Sequence, residues 1–464
     1  MATGPYFVFG PATLLSMLGL MRGPDPTPAT PHEDWRSARV DVIIPALDEE
    51  EHIVLCLASL LRQTFRPRRI ILVDDGSTDR TIELAEAFCK RHQLNFVAIR
   101  RRKPIGKTPT IKRQARELDS DVEFILDADT LLESDNYIER TVQELYRAVG
   151  IASACGTILP LRKKDRERWT EEPETRAFRL AFPSDRQPRS HPWIHDLETG
   201  VTNLYREVLY LFLQRFVYRG QLVFFGTTTN PVGCAVAYRR KYVQGLFNHF
   251  GPLLGDDLTN SEDIFIGVAM LNEGYRNVQL TDVYARTVEP AVRRLPKQVY
   301  LWSSAFLQSC YYFDPLLKSP GKAFLRRPRR RRPPQPGEGA PDGAKRRVIG
   351  EPYRQAFGRH RTLQYGRPAG WMLTISAIEK VFFPTSLLIM LLLRNWHGLA
   401  LTIAVETLIG LMVLAAVMKG RRLEYVVKGL AVAPLRYALV TSELVTLARF
   451  ATDLWITNNR KWRK

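Results

Sequence analysis

Cysteine and histidine are scarce in this sequence. Its 464 residues include only five cysteines and eight histidines. The cysteines are scattered, odd in number and never arranged as Cys-x-x-Cys, which argues against a disulfide framework and against a zinc site. This usage fits a reducing compartment. A chain of this length has room for one domain of roughly 250–300 residues with appendages.

Acidic residues are outnumbered by basic ones. The chain has 67 Lys and Arg against 48 Asp and Glu, a formal net charge of +19. Such an excess indicates an anionic partner: nucleic acid, anionic lipid or a phosphorylated substrate. Six arginines fall within residues 326–332, but no aromatic residues interleave them and no nucleic-acid-binding motif surrounds them. We therefore expect a patch that meets anionic lipid at a membrane, and no nucleic acid.

Long apolar runs are confined to the two ends of the chain. Residues 6–21 are apolar without a basic flank before them, which predicts a membrane-interface anchor or a short span rather than a signal peptide. Residues 371–393 and 397–418 predict a transmembrane hairpin. Residues 431–455 are interrupted by charges and predict an interfacial helix rather than a third span. Basic residues flank the hairpin and end the chain, so a multi-pass protein of the cell membrane with a cytoplasmic catalytic region is expected.

Short apolar runs alternate with helical patterns from Val40 onward. Strands are predicted at Val40–Pro45, Arg69–Val73, Asn95–Ile99 and Val122–Leu126. Helical spacing follows after Asp48, which could cap a helix, and from Arg80 to Arg91 behind Ser77 or Thr78 as caps. This alternation predicts an α/β fold, with a mostly parallel sheet covered by helices on both faces.

Candidate ligand-binding residues lie at the ends of three of these strands. Pro45, Asp74, Asp75, Asp127 and Asp129 all fall at carboxyl ends, where ligands of such sheets bind. Carboxylate oxygens suit Mg²⁺ or Mn²⁺, which also leave positions open for phosphate. Asp127-Ala128-Asp129 therefore predicts a metal–diphosphate site, although an isolated Asp-x-Asp is commonly a solvated turn.

Taken in order, these motifs resemble those of the family 2 glycosyltransferases, which have a nucleotide-diphospho-sugar (Rossmann-like) fold. The matching elements are Pro45–Glu49 with Asp48 in place of the usual Asn, Val73–Asp79, Gly106-Lys107 without the usual Ala-Leu-Asn, Asp127–Asp129, Ser261–Asp263, and Gln298–Trp302. The resemblance extends from Val40 to about Tyr312. It is closest in character to the catalytic part of hyaluronan, chitin and cellulose synthases.

The resemblance implies a role for each site residue. It implies donor binding by Pro45, Glu49, Asp74, Asp75, Lys107 and Asp127, a metal held by Asp127 and Asp129, a base at Asp263 with Glu262 beside it, and acceptor contacts from Gln298 and Trp302. In such a reaction an acceptor hydroxyl attacks the anomeric carbon as the nucleoside diphosphate leaves, which inverts that carbon. The alternatives stay open: these acids could cap helices, Lys107 could be solvated, and Trp302 could be an interfacial anchor.

One position departs from the family pattern. Leu301 stands where processive members carry Arg, and Arg293 or Arg294 could substitute for it. The first hypothesis is a membrane-anchored inverting transferase that moves a sugar, from a UDP-sugar by preference, to a lipid or a membrane-presented glycan. A processive polysaccharide synthase is the alternative, and with few spans it would need an oligomer or a partner subunit. A non-catalytic sensor of sugar nucleotides is the third hypothesis.

The predicted organisation has four parts. They are an N-terminal anchor and linker (1–39), a catalytic domain (40–313), a basic Pro/Arg-rich linker (314–367), and a transmembrane hairpin with an interfacial helix and a basic tail (368–464). Within the second part, residues 204–217 have helical periodicity and predict either a core helix or one that lies against a membrane.

Overall fold

The computed structural model describes residues 11–22, 34–148, 150–183, 192–254, 261–326 and 359–457. In this part of the chain, one sheet contains eight strands. They are β1 (Val40–Ala46), β2 (Arg69–Asp74), β3 (Phe96–Arg100), β4 (Val122–Leu126), β5 (Thr130–Leu132), β6 (Ile151–Pro160), β7 (Ala235–Arg239) and β8 (Arg276–Thr287). The four strands predicted from the sequence are all present, each within one residue of its predicted bounds.

The sheet is mixed, with the order β3-β2-β1-β4-β7-β6-β8-β5. β3, β2, β1 and β4 are parallel, and so are β6 and β8. β7 runs antiparallel to both of its neighbours, and β5 runs antiparallel to β8. The predicted parallel α/β half is confirmed, and the antiparallel strands complete the sheet beyond it.

The register of the parallel half assembles one edge. Ala46 lies opposite Asp74, and Ile43 lies opposite Ile125. The carboxyl ends of β1, β2 and β4 therefore open on the same side of the sheet. Every residue of β4 is buried, which fixes the segment that follows it against the core.

Helices cover the sheet and continue beyond it. They are α1 (Pro11–Arg22), α2 (Ile53–Leu61), α3 (Thr81–Arg91), α4 (Lys107–Glu117), α5 (Tyr137–Arg147), α6 (Lys163–Thr170), α7 (Pro173–Ala181), α8 (Pro192–Phe212), α9 (Arg219–Phe225), α10 (Arg240–Leu254), α11 (Glu262–Glu273), α12 (Leu295–Tyr312), α13 (Asp314–Leu317), α14 (Ser319–Arg326), α15 (Arg359–Tyr365), α16 (Pro368–Leu392), α17 (Trp396–Val417) and α18 (Arg422–Trp455). A π-helical segment, Leu213–Tyr218, joins α8 to α9, and 3-10 turns occupy Trp35–Ser37 and Val292–Arg294.

The helix over residues 204–217 belongs to the core. Tyr205, Arg206, Leu211 and Phe212 are all buried. α8 packs against both β6 and α18, so both of these neighbours cover it. The alternative in which this segment lies directly on a membrane is not supported.

The described part of the N-terminal anchor is the 12-residue helix α1, which packs on α9. A Cβ added to Gly220 would lie 2.3 Å from Ser16 Cα, so the two backbones touch only because position 220 is glycine. Leu14, Leu18 and Met21 are exposed on the same helix. This helix is shorter than the roughly 20 residues that cross a bilayer, and residues 6–10 lie outside the described part.

Three C-terminal helices, α16, α17 and α18, are long and apolar enough to cross a membrane by length and composition. The predicted hairpin is α16 and α17. α18 begins at Arg422 rather than Ala431 and contacts α8 and α12 as well as α17. Its placement as an interfacial helix stays a prediction.

The charges inside these helices are paired. Lys380 Nζ lies 2.8 Å from Glu443 Oε2, and Arg436 pairs with Glu406. Glu406 in the second helix of the hairpin is therefore explained by pairing within the bundle, as is the polar interruption at Lys380.

Part of the predicted linker is helical. α13, α14 and α15 lie within it, and Thr362 Oγ1 donates a 2.5 Å hydrogen bond to the carbonyl of Asn272 in the last turn of α11. The arginine run falls mostly in residues 327–358, outside the described residues. The domain boundaries stay a prediction.

Candidate active site

The loops after β1 and β2 are bonded to each other. Asp48 has a φ of +56° and accepts a 2.8 Å hydrogen bond from the amide of Thr78. It therefore joins two loops instead of capping a helix. The N-cap position of α3 is Arg80, and the Asp79 carboxylate accepts from the Thr81 amide at 3.0 Å, so the prediction of Ser77 or Thr78 as the cap was wrong. Glu49 Oε2 lies 2.9 Å from His52 Nδ1.

The Asp75 carboxylate shapes the loop that precedes α4. Its Oδ1 accepts from the amide of Ile105 at 2.9 Å and from Arg101 Nη1 at 2.9 Å, and its Oδ2 accepts from the amide of Gly106 at 2.7 Å. Gly106 has a φ of +95°, which favours glycine. Asp75 thereby places Lys107, the next residue. Asp74 accepts from the Ser77 amide at 3.1 Å.

Lys107 connects three segments that are far apart in the sequence. Its Nζ lies 2.6 Å from Asp127 Oδ1, 2.8 Å from Glu262 Oε1 and 3.2 Å from the carbonyl oxygen of Gly233. Burial lowers the pKa of Lys107, but the charges of Asp127 and Glu262 outweigh burial and hold that pKa well above its usual value. The alternative of a solvated loop lysine is therefore wrong.

Asp127 and Asp129 follow β4 as predicted. The Asp127 amide donates to the Cys234 carbonyl at 2.8 Å, and Asp129 Oδ1 accepts from Thr130 Oγ1 at 3.2 Å. Burial raises the pKa of Asp127 against the opposing charge of Lys107. Burial and the Asp127 charge raise the pKa of Asp129 to about 7. The two carboxylates therefore repel each other in a poorly solvated site.

This donor set fits a divalent cation. Two carboxylates with mutual repulsion are the arrangement that Mg²⁺ or Mn²⁺ would relieve, and both ions prefer oxygen ligands. Within the described ranges, no group of three or more His, Cys, Asp or Glu side chains could hold a metal. A metal held by Asp127 and Asp129 would thus depend on diphosphate and water for its other ligands.

Glu262 and Asp263 form the first turn of α11. Glu262 faces Lys107, whereas Asp263 Oδ2 accepts from the Gly233 amide at 3.2 Å. A Cβ at Gly233 would lie only 2.7 Å from Asp263 Cβ. The backbone therefore approaches Asp263 closely and limits where its carboxylate can lie.

Gln298 and Trp302 lie one turn apart on α12, and both contact an arginine of α8. Arg206 Nη2 donates to Gln298 Oε1 at 2.5 Å, and the Arg206 guanidinium carbon lies 4.4 Å from the Trp302 ring centroid. The sequence motifs do not include Arg206. The available signal is an arginine within the mostly apolar helical stretch 204–217. Arg293, one of the proposed substitutes for position 301, is instead an exposed residue 3.7 Å from Glu198.

A cavity of about 510 Å³ lies near the site, and neither Asp127 nor Asp129 is among its lining residues. His52, Val288 and Glu289 line the part near Asp129, whose carbonyl accepts from the Val288 amide at 3.2 Å. Basic residues that start α6 line another wall, and Lys428 of α18 also lines the cavity. The cavity thus lies between residues that neighbour Asp129 and a candidate membrane helix.

The geometry agrees with a family comparison. Residues 41–247 match the model of "Glycosyl transferase family 2". The chain carries a family 2 glycosyltransferase domain. The matched segment contains the donor and metal positions named above, whereas Glu262, Asp263, Gln298 and Trp302 lie beyond it.

Several known proteins resemble this chain over shorter or longer stretches. An N-acetylglucosaminyltransferase of Azorhizobium caulinodans is 26% identical over 273 residues, which are 57% of this chain and 57% of that protein. An undecaprenyl-phosphate 4-deoxy-4-formamido-L-arabinose transferase of Pectobacterium carotovorum is 34% identical over 93 residues, 19% of this chain and 28% of that protein. A poly-beta-1,6-N-acetyl-D-glucosamine synthase of Staphylococcus epidermidis is 27% identical over 96 residues, 21% and 23% of the two chains. The chain therefore spans little more than half of the first relative and less than a third of the others.

Among solved structures, the mannosyltransferase PcManGT from Pyrobaculum calidifontis, in complex with GDP-Man and Mn²⁺, covers 96% of this chain and 94% of its own. The sequence identity is 15% and the TM-score 0.49.

Proposed function

We propose that this family 2 glycosyltransferase is a membrane-anchored, inverting enzyme that moves a sugar from a nucleotide-diphospho-sugar, UDP-linked by preference, to a lipid or a membrane-presented glycan. The observation that carries the proposal is the meeting of distant segments at Lys107, next to a cavity. Lys107 brings the donor, metal and base segments together, and the adjoining cavity extends from the neighbourhood of Asp129 to Lys428 of α18.

The chain offers a residue for each part of the transfer. Asp263, held by the Gly233 amide, accepts the proton of the attacking acceptor hydroxyl. The positive charge of Lys107 lies between Asp127 and Glu262 and offsets the repulsion between these two carboxylates. Asp127 and Asp129 would hold Mg²⁺ or Mn²⁺, which supplies positive charge next to the leaving diphosphate.

The remaining predicted site residues bind the donor or the acceptor. We assign donor binding to Pro45, Glu49 and Asp74 at the carboxyl edge of the sheet, with Asp75 acting through the loop that it shapes. Gln298 and Trp302 contact the acceptor.

The membrane arrangement follows from charge. If α16 and α17 form the only transmembrane hairpin, the basic residues after α17 lie on the same side as the catalytic domain. An interfacial α18 keeps the basic end of the chain there too, and the contacts of α18 with α8 and α12 favour that placement. We assign that side to the cytoplasm, where sugar nucleotides are made.

Two alternatives follow from the sequence, and one of them has specific support. A processive synthase is favoured by the similarity to the poly-beta-1,6-N-acetyl-D-glucosamine synthase, but Leu301 and the small number of candidate spans weigh against it. A non-catalytic sensor would need only the nucleotide site, so this hypothesis does not explain the close packing around Asp263.

The test is nucleoside diphosphate release by the purified full chain in detergent. A panel of UDP-sugars would be supplied with Mn²⁺ or Mg²⁺, with and without extracted membrane lipid, next to Asp263→Asn. Asp282→Asn is the matched control, because that aspartate lies on the surface and pairs only with Arg140 among the described residues.

We expect release that needs one sugar, the metal and the lipid, and that is lost with EDTA and in Asp263→Asn but not in Asp282→Asn. High-molecular-weight product without added lipid would favour the synthase. Nucleotide binding without any release would favour the sensor.

A further inference from the structure

Arg206 is a fully buried arginine in the middle of α8. Its exposed fraction is 0%. Arginine is almost never buried completely unless its charge is paired and its donors are used. Its burial therefore has to be explained by the residues that surround it.

Two of its neighbours are the predicted acceptor residues, and a third lines the cavity. Arg206 Nη2 donates to Gln298 Oε1 at 2.5 Å, and Arg206 Nε lies 3.4 Å from Glu289 Oε2. The guanidinium carbon lies 4.4 Å from the Trp302 ring centroid, a distance typical of a cation–π contact. Glu289 also lines the cavity beside Asp129. One side chain thus contacts two predicted acceptor residues and one wall of the cavity.

We propose that Arg206 is the positioning residue of the acceptor site, acting through Gln298 and Trp302. The inference rests on the proposed function and makes it more specific. It assigns to α8 a part in acceptor recognition that the sequence motifs do not contain.

The chemistry of the guanidinium determines what it positions. Arginine only donates hydrogen bonds, so it must be met by the oxygen of the Gln298 amide. The planar amide then directs its two N–H donors away from Arg206. The acceptor group that these donors suit is a hydrogen-bond acceptor, such as a sugar hydroxyl oxygen or a phosphate oxygen.

The guanidinium of Arg206 also positions the Trp302 ring. Because the guanidinium stacks on Trp302, the ring is held in one orientation, and the part of this half-buried side chain that stays accessible is what contacts the apolar C–H face of a sugar. A lysine cannot reproduce this arrangement, since its ammonium is compact and lacks the planar fork that bonds Gln298 while stacking on a ring.

The experiment compares Arg206→Lys and Arg206→Met with wild type in the full-length protein. It measures the KM for the lipid acceptor, the KM for the sugar nucleotide, and the slow hydrolysis of the sugar nucleotide without acceptor. We expect the acceptor KM to rise by at least about tenfold, as for the loss of one charge-assisted hydrogen bond. The donor KM and the hydrolysis rate stay unchanged. Arg206→Met combined with Gln298→Ala should cost no more than Arg206→Met alone.

Arg239→Lys is the matched control, because Arg239 also stacks on an aromatic ring, with its guanidinium carbon 3.6 Å from the Tyr146 centroid, but on β7. An unchanged acceptor KM in a folded Arg206→Lys protein would overturn the inference while leaving the proposed function intact. Equal losses in hydrolysis and transfer would overturn it too, because they indicate a general structural role. A wild-type protein inert toward every donor would instead overturn the proposed function.

Discussion

Gly233 offers the sharpest test of where the base lies. A Cβ at this position would lie 2.7 Å from Asp263 Cβ and 3.0 Å from Asp263 Cγ and Oδ2. The substitution Gly233→Ala therefore acts on the Asp263 side chain. The amide of residue 233 still exists in the variant, so the hydrogen bond to Asp263 is displaced rather than deleted.

The size of the effect follows from the overlap. Ordinary van der Waals contact begins at 3.4 Å, so the Asp263 side chain has to move by roughly 0.7 Å. A misplacement of about 1 Å costs about 10²-fold in a positioned reaction, and we expect kcat to fall roughly 30- to 100-fold. The donor KM should hold, because Lys107 contacts the Gly233 carbonyl, which the added methyl group does not replace.

The assay is nucleoside diphosphate release under saturating donor and acceptor, with donor binding measured by calorimetry. Gly245→Ala is the control, since nothing lies within 4 Å of a Cβ there and the residue is in the helix α10. That variant should keep full activity and gain up to about 1 kcal/mol of stability. If Gly233→Ala retains wild-type kcat, Asp263 does not need this position and its role as the base is refuted.

Three further predictions concern buried charges. Burial raises the pKa of Glu123 to about 8, so its carboxyl stays protonated in the folded chain while it ionises in the unfolded one, and stability falls as pH rises from about 4.5 to about 8. Thermal unfolding should show Glu123→Gln more stable by up to about 4 kcal/mol at pH 8 and equal near pH 4, whereas a parallel pH dependence in both proteins would contradict the assignment. Lys380→Met should lower the free energy of unfolding by about 3–5 kcal/mol, because it leaves the buried Glu443 carboxylate without its cation. Adding Glu443→Leu should restore most of that stability in denaturant titrations, and a further loss of stability in the double variant would contradict the assignment. Lys107→Met should weaken nucleotide binding by more than about tenfold in calorimetry, and unaltered binding would show that Lys107 does not organise the donor site.

The parallel half of the fold was predictable because its signals are local. β1, β2 and β4 are predominantly apolar runs, and each is followed by polar residues. The antiparallel strands carry no comparable signal. β7 and β5 pair with strands distant in sequence, and the alternation of strands with helices that predicts parallel pairing is lost after β4.

The candidate site divides in the same way. The sequence motifs identified Lys107, Asp127 and Glu262 separately, but their bridge through one ammonium group depends on tertiary structure. Asp75 shows the opposite case, because its motif predicts ligand contact while its oxygens bond the loop amides of Ile105 and Gly106. Arg206 could not be assigned, since nothing in the spacing of α8 shows which helix it faces.

The contact between Ser16 and Gly220 constrains how the chain is made. The two residues are about 200 positions apart, and ribosomes add about 5–20 residues per second, so α1 emerges roughly 10–40 seconds before its partner helix exists. During that interval Leu15, which packs against the core of the folded chain, has no protein surface to cover it. A nearby bilayer would cover it until α9 is made, so synthesis at the membrane protects this helix, and synthesis away from the membrane leaves it open to chaperones and aggregation.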